Sequence, residues 1–273
     1  MLGAAIIVFR ETLEAALLIS IVAAATRSLS HRTRWLVFGL LAGILGSLVV
    51  AGFMDKIAQL ADGIGQDIFN ALVLGAAVLM LGWHNVWMAR HGAQMASEAR
   101  SVAKSVQEGR RELSAIALVI ALAVLREGSE TALFLFGLAS GSDLAMPAIL
   151  SGGALGMGAG AGLGYAMYRG LLRIPLRHLF SVTSVLILLL AAGMAGQSAR
   201  FLIQADLLSG MVTPLWDTSH ILPVNSPVGS FLHVLIGYDA RPSATQVIFY
   251  AAVAVSILVG MRWARPRRAP TPA

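Results

Sequence analysis

Apolar residues fill seven runs, each about as long as the roughly 20 residues that cross a bilayer as helix, separated by short polar connections. The runs lie at 2–25, 35–53, 68–88, 113–140, 147–168, 179–203 and 244–263. Strand-length alternation is absent, so the spanning elements are expected to be helices. Residues 94–112 are polar and good helix formers, and read as a cytoplasmic extension leading into the fourth helix with its charges on a solvated face. The connection 204–243 is too long to be structureless, and Ser226 as cap, Pro227 in the first turn and Gly237 past the end predict a short helix within it.

Composition agrees with a single all-α polytopic membrane domain over 1–273: 57% of residues are hydrophobic and 12% charged, with a mean hydropathy of +0.77. A net charge of +6 would fit nucleic acid if it formed a stripe, but the basic residues cluster at the ends of apolar runs, which excludes that partner. Their distribution alternates. Arg27, Arg32 and Arg34 follow the first run, Lys56 stands among Asp55, Asp62 and Asp67, and Arg90, Arg100, Lys104, Arg110 and Arg111 come next. Asp143 then stands alone, followed by Arg169, Arg173 and Arg177, an acidic-leaning connection with Arg241, and finally Arg262, Arg265, Arg267 and Arg268. The positive-inside rule turns this into seven transmembrane helices, amino terminus outside and carboxyl terminus cytoplasmic. The first run lacks the basic start of a cleaved leader.

The informative interruptions are Arg10-Glu11-Thr12-Leu13-Glu14 and Arg126-Glu127-Gly128-Ser129-Glu130, the same Arg-Glu-x-x-Glu pattern 116 positions apart in the first and fourth runs. Three spans from one motif to the next would make the two halves antiparallel: an inverted repeat of three plus three helices, 1–90 and 113–204, with a seventh helix at 244–263 outside it. The second helix of each half carries small residues four apart, Gly39 and Gly43 in one and Gly152, Gly156, Gly160 and Gly164 in the other, a spacing that lets backbones approach.

A charged residue at a helix centre costs about 2.5–3.5 kcal/mol on insertion scales, so these six side chains are expected to face inward, pair, or handle an ion. On a helix, Glu11 and Glu14 share a face with Arg10, as do Glu127 and Glu130 with Arg126. Crossed near the midplane, the helices would gather four carboxylates, which repel unless a cation or the arginines compensate. There is no cysteine, which leaves oxygen and imidazole as ligands, and without an obvious imidazole pair the carboxylates suit a hard ion. Four Glu and two Arg sum to minus two, which by itself selects neither a divalent nor a trivalent ion. His84 and Asn85, near the end of the third run beside Trp83 and Trp87, read as an interfacial anchor or as an exit lining. Asp206, Asp217, His220 and Asp239 read as turn caps or as a metal-gathering entrance. Neither a Schiff-base lysine in the last run nor an intramembrane nucleophile with its base occurs, which excludes a retinal protein and a hydrolase.

At these residues the chain resembles the high-affinity iron permeases, the oxidase-dependent iron transporter family of fungi and bacteria, marked by Arg-Glu-x-x-Glu in the first and fourth of seven helices. Trp83-His84-Asn85-Val86-Trp87-Met88 is similar to that family's aromatic end of helix three. Pro214-Leu215-Trp216-Asp217 and Gly237-Tyr238-Asp239-Ala240-Arg241-Pro242-Ser243 are similar to its outer segment. The resemblance covers nearly the whole chain. It implies a non-enzymatic permease without a cofactor, in the bacterial inner (plasma) membrane among lipid. Iron is then the transported substrate, ferric in the main expectation. The alternative is proton-coupled transport of another cation, such as ferrous iron, lead or another divalent metal. By matching positions the iron ligands are Glu11, Glu14, Glu127 and Glu130, with Arg10 and Arg126 supporting. A separate ferroxidase or periplasmic iron-binding protein is the implied partner, and the oligomeric state stays open.

Overall fold

The computed structural model describes residues 1–60, 65–140, 146–170 and 176–264. Asp62, Asp143, Arg173, Arg265, Arg267 and Arg268, which contribute to the charge alternation, lie outside them. Eight helices form the described chain: α1 (Leu2–Ala25), α2 (Arg32–Leu60), α3 (Gln66–Gln107), α4 (Ser114–Ser140), α5 (Met146–Tyr168), α6 (Leu176–Gln204), α7 (Pro227–Ile236) and α8 (Ala244–Ala264).

The expected count of seven transmembrane helices is corrected. Among the described residues five helices are long and apolar enough to cross a membrane, over Arg32–Phe53, Gln66–Met88, Met146–Tyr168, Phe180–Gln204 and Ala244–Ala264. Helices α1 and α4, of 24 and 27 residues, have the length. Each, however, concentrates three charged residues in five positions, and that charge sets them apart from the other five helices. The inverted-repeat topology and the terminal orientation, both deduced from seven crossings, lose that support.

A second correction concerns residues 94–107. They do not lead into α4 but continue α3 without a break, giving a helix of 42 residues, about 60 Å at 1.5 Å per residue. The continuation is held because Ala99, Ala103 and Val106, spaced four and three apart, bury one face. Ala99 and Val106 pack in a cluster with Val22, Ile116, Ile120 and Val124. The helix stops where Gly109 takes a positive φ of 72°.

Helix α1 packs chiefly on α5, α2 on α4, and α3 on α6. Exchanging α1 with α4, α2 with α5 and α3 with α6 maps these pairings onto one another. Lipid tails are as apolar as leucine, so close backbone approach does much of the packing, and the glycine registers supply it. A Cβ on Gly160 of α5 would lie 2.7 Å from the Phe9 carbonyl oxygen of α1, and one on Gly43 of α2 would lie 2.8 Å from that of Ala121 in α4. The far side of α2 leaves Phe38, Leu41, Leu45, Leu48 and Phe53 exposed, a face suited to hydrocarbon. Between the pairs, Ile7, Leu74, Leu81, Phe134, Ile187, Met194 and Ile257 form the central core from α1, α3, α4, α6 and α8.

The short helix α7 forms where its capping signals place it. The Ser226 hydroxyl accepts from the Gly229 amide at 3.0 Å, Pro227 occupies the first turn, and Gly237 closes the helix at φ 70° with its amide donating to the His233 carbonyl. The backbone of Gly237 rests directly on Gly193 of α6. The His233 ring bridges the Tyr238 carbonyl, 2.6 Å from Nδ1, and the Gln197 side chain on α6, 3.1 Å from Nε2.

Candidate metal centre

Within each motif the arginine takes the glutamate one turn ahead. Arg10 Nε donates to Glu14 Oε1 at 2.9 Å, and Arg126 Nε donates to Glu130 Oε1 at 3.0 Å. This geometry follows from the i, i+4 spacing, and it treats the two glutamates of a motif differently. The first of each, Glu11 and Glu127, is buried to 1% and 2% exposure, and neither accepts a hydrogen bond with either oxygen among the described residues. Arg126 Nε stays 3.8 Å from Glu127 Oε1, beyond hydrogen-bond reach.

The six motif residues come together because α1 and α4 pack against each other, with α3 against both. From α3 a seventh residue enters. The His84 side chain is buried, with Nδ1 against Glu130 Oε2 and Nε2 at 3.9 Å from Glu11 Oε2 and 3.8 Å from Glu14 Oε2. One ligand atom each from Glu11, His84, Glu127 and Glu130 lies within 4.8 Å of the others. An ion with bonds of about 2.1 Å separates opposite ligands by about 4.2 Å, so a small inward closure fits this group around one cation. Glu14, held by Arg10, stands just outside the four.

Uncompensated carboxylates in a dry interior cost several kcal/mol each, so the centre is built for a positive guest. Arg10, at 1% exposure, is the largest fully buried side chain, and Arg126 lies with its guanidinium carbon 4.3 Å from the centre of the Trp87 ring.

His84 is not an exposed anchor: at 4% exposure it faces the carboxylates. The apolar span of α3 does end at Met88, four residues past His84. Since α3 continues to Gln107, His84 is near mid-helix, and its facing the same side as Trp87, one turn on, was the available signal. Its neighbour Asn85 donates to the Ser184 carbonyl of α6 at 2.9 Å, locking α3 to α6 beside the centre. In the outer connection, Asp217 pairs with Arg241 at 2.6 Å and accepts from Ser219, while Asp239 accepts from the Arg241 amide. These aspartates shape turns, and among the described residues the only group of acidic and histidine side chains close enough to hold one ion is the buried one.

A multi-pass helical membrane protein with ionisable groups converging on an enclosed cation-sized space is, as a class, a cation transporter. Residues 1–265 match the Iron permease FTR1 family, and the chain belongs to it. It is therefore a membrane permease that moves iron, and not an enzyme. The chain is similar to the Ferrous iron permease EfeU of Shigella sonnei, 29% identical over 268 residues that cover 97% of this chain and 95% of that one. It shares the same identity and coverage with the namesake protein of Escherichia coli O157:H7. With that of Yersinia pestis it is 27% identical over 258 residues, 93% of this chain and 90% of the other. No solved structure matches the chain.

Proposed function

We propose that the chain imports ferrous iron across the bacterial inner membrane, the ion passing through the centre bounded by Glu11, Glu127, Glu130 and His84. The observation that carries the reading is the buried pair of unclaimed carboxylates, Glu11 and Glu127, facing an imidazole. A purely oxygen cage would suit ferric iron, the form expected from the sequence; a nitrogen donor among the ligands moves the preference toward a divalent transition metal. The relatives named as ferrous iron permeases support the same substrate. Basic clusters at Arg27, Arg32 and Arg34 and at Arg100, Lys104, Arg110 and Arg111 favour the cytoplasmic side for those connections. Carboxylates inside a membrane also carry protons, which makes proton exchange the natural coupling.

The test is radioactive iron uptake into proteoliposomes, ferrous under ascorbate against ferric citrate, with a pH gradient imposed or collapsed. Ferrous uptake should exceed ferric, rise with the gradient, and disappear in Glu11→Gln and Glu127→Gln. Equal uptake of both iron forms, or undiminished uptake in the two variants, refutes the reading.

A further inference from the structure

The two motifs are alike in sequence, yet the histidine of a third helix meets them unequally, touching Glu130 and standing off Glu11 and Glu14. Glu130 touches His84 Nδ1 with Oε2 while Arg126 holds its other oxygen at 3.0 Å. A carboxylate only accepts, so in the neutral ring the proton at that contact sits on Nδ1 and Nε2 carries a lone pair. That lone pair faces Glu11 Oε2 at 3.9 Å and Glu14 Oε2 at 3.8 Å, both acceptors and both beyond hydrogen-bond reach. Acceptors converging on a gap need a cation or a proton between them.

We propose that His84 is an iron ligand through Nε2, and that Glu130, Arg126 and Trp87 form a relay that orients it. The inference rests on the iron-carrying role proposed above for this centre. Metal-binding histidines commonly donate their second ring N–H to a carboxylate, which fixes the tautomer and ring plane and raises ligand basicity. Here that carboxylate is itself fixed by Arg126, whose guanidinium lies on Trp87, and Trp87 stands one turn from His84 on α3. The relay thus begins and ends on the same helix. It assigns different work to residues that look equivalent in the motifs: Glu11, Glu127 and His84 hold the ion, Glu130 positions the imidazole, and Glu14 balances Arg10. An imidazole ligand also supplies the discrimination a carboxylate cage lacks, since magnesium and calcium select oxygen donors.

The experiment uses the full chain in nanodiscs with Mn(II) as a paramagnetic probe. Pulsed electron paramagnetic resonance should show a directly bound nitrogen in the wild type, converted to the ¹⁵N pattern when histidine alone is isotopically labelled. His84→Gln should remove the signal and weaken Mn(II) binding. Glu130→Gln should weaken binding about 10–100-fold, because its amide donates to Nδ1 and drives the ring proton onto Nε2. Trp87→Leu should cause a smaller loss in the same direction. Should the variants fail to fold, the labelled wild-type spectrum decides alone. Mn(II) bound without nitrogen coupling, or bound unchanged by His84→Gln, overturns the inference while leaving the carboxylate centre intact. Competition of bound Mn(II) by Fe(II) checks that the probe occupies the iron site; a wild type that binds neither ion overturns the iron-carrying reading as well.

Discussion

Replacing Arg10 with methionine keeps an unbranched stem and removes the charged guanidinium, and the structure sets how much this costs. Arg10 and Glu14 have side chains 1% and 3% exposed, with Nε to Oε1 at 2.9 Å. Removing one partner of a buried pair strands the other, at about 3–5 kcal/mol. The corresponding change at Arg126 is milder, because its side chain is 32% exposed and Glu130 keeps His84 as a second neighbour. There the loss is roughly 1 kcal/mol for a partly exposed pair plus about 0.5–1 kcal/mol for the contact with Trp87. At about 2–4 °C per kcal/mol, Arg10→Met should lower the melting temperature by roughly 6–20 °C and Arg126→Met by about 3–8 °C. Differential scanning fluorimetry of the purified protein measures both. Mn(II) should recover more of the loss in Arg10→Met than it adds to the wild type, since the freed Glu14 then has a cation to meet. A fall in Arg126→Met equal to or larger than that in Arg10→Met refutes the reasoning.

Gly160→Ala should destabilise by about 1–3 kcal/mol, because the added carbon meets the Phe9 backbone, whereas Gly162→Ala, with nothing within 4 Å, should be neutral; thermal melts of the two variants side by side provide the check. Outside the membrane segments, the Arg241 guanidinium, followed by Ser219, holds the Asp217 carboxyl well below its ordinary value of 3.8. The stabilisation from that pair is present above pH 3.8 and is lost as pH falls through the lowered value. Hydrogen exchange around residues 214–219, corrected for intrinsic rates, should therefore stay constant from pH 7 to about pH 4 and accelerate at pH 7 in Asp217→Asn; acceleration of the wild type between pH 6 and pH 5 would contradict this.

The features legible in advance were those carried by local spacing. Ser226, Pro227 and Gly237 bracket α7 because capping is decided within one turn. The glycines four apart predict close backbone contact because the spacing alone defines a helix stripe, although not that the α5 stripe would meet α1. The motif residues were legible because charge in an apolar run demands an explanation. What escaped depended on tertiary context. The apolar span of α3 ends at Met88 as expected, and the packing of Ala99, Ala103 and Val106 keeps the helix going past it. His84, four residues before that end, read as an interfacial anchor because nothing in its own helix shows that it packs against the carboxylates of α1 and α4. The count of spans failed for a related reason: apolar length was credited to α1 and α4 without weighing the charges that make them unlike their neighbours.

The unbroken course of α3 gives the centre a lever arm. From His84 to Ala103 the same rod runs 19 residues, about 28 Å, and its far end is seated against α1 and α4. A tilt of roughly ten degrees about His84 would sweep Ala103 through about 5 Å. A tilt of α3 that accompanied iron binding would therefore be largest toward residues 99–106, and a spectroscopic label there would report it without standing near the ion.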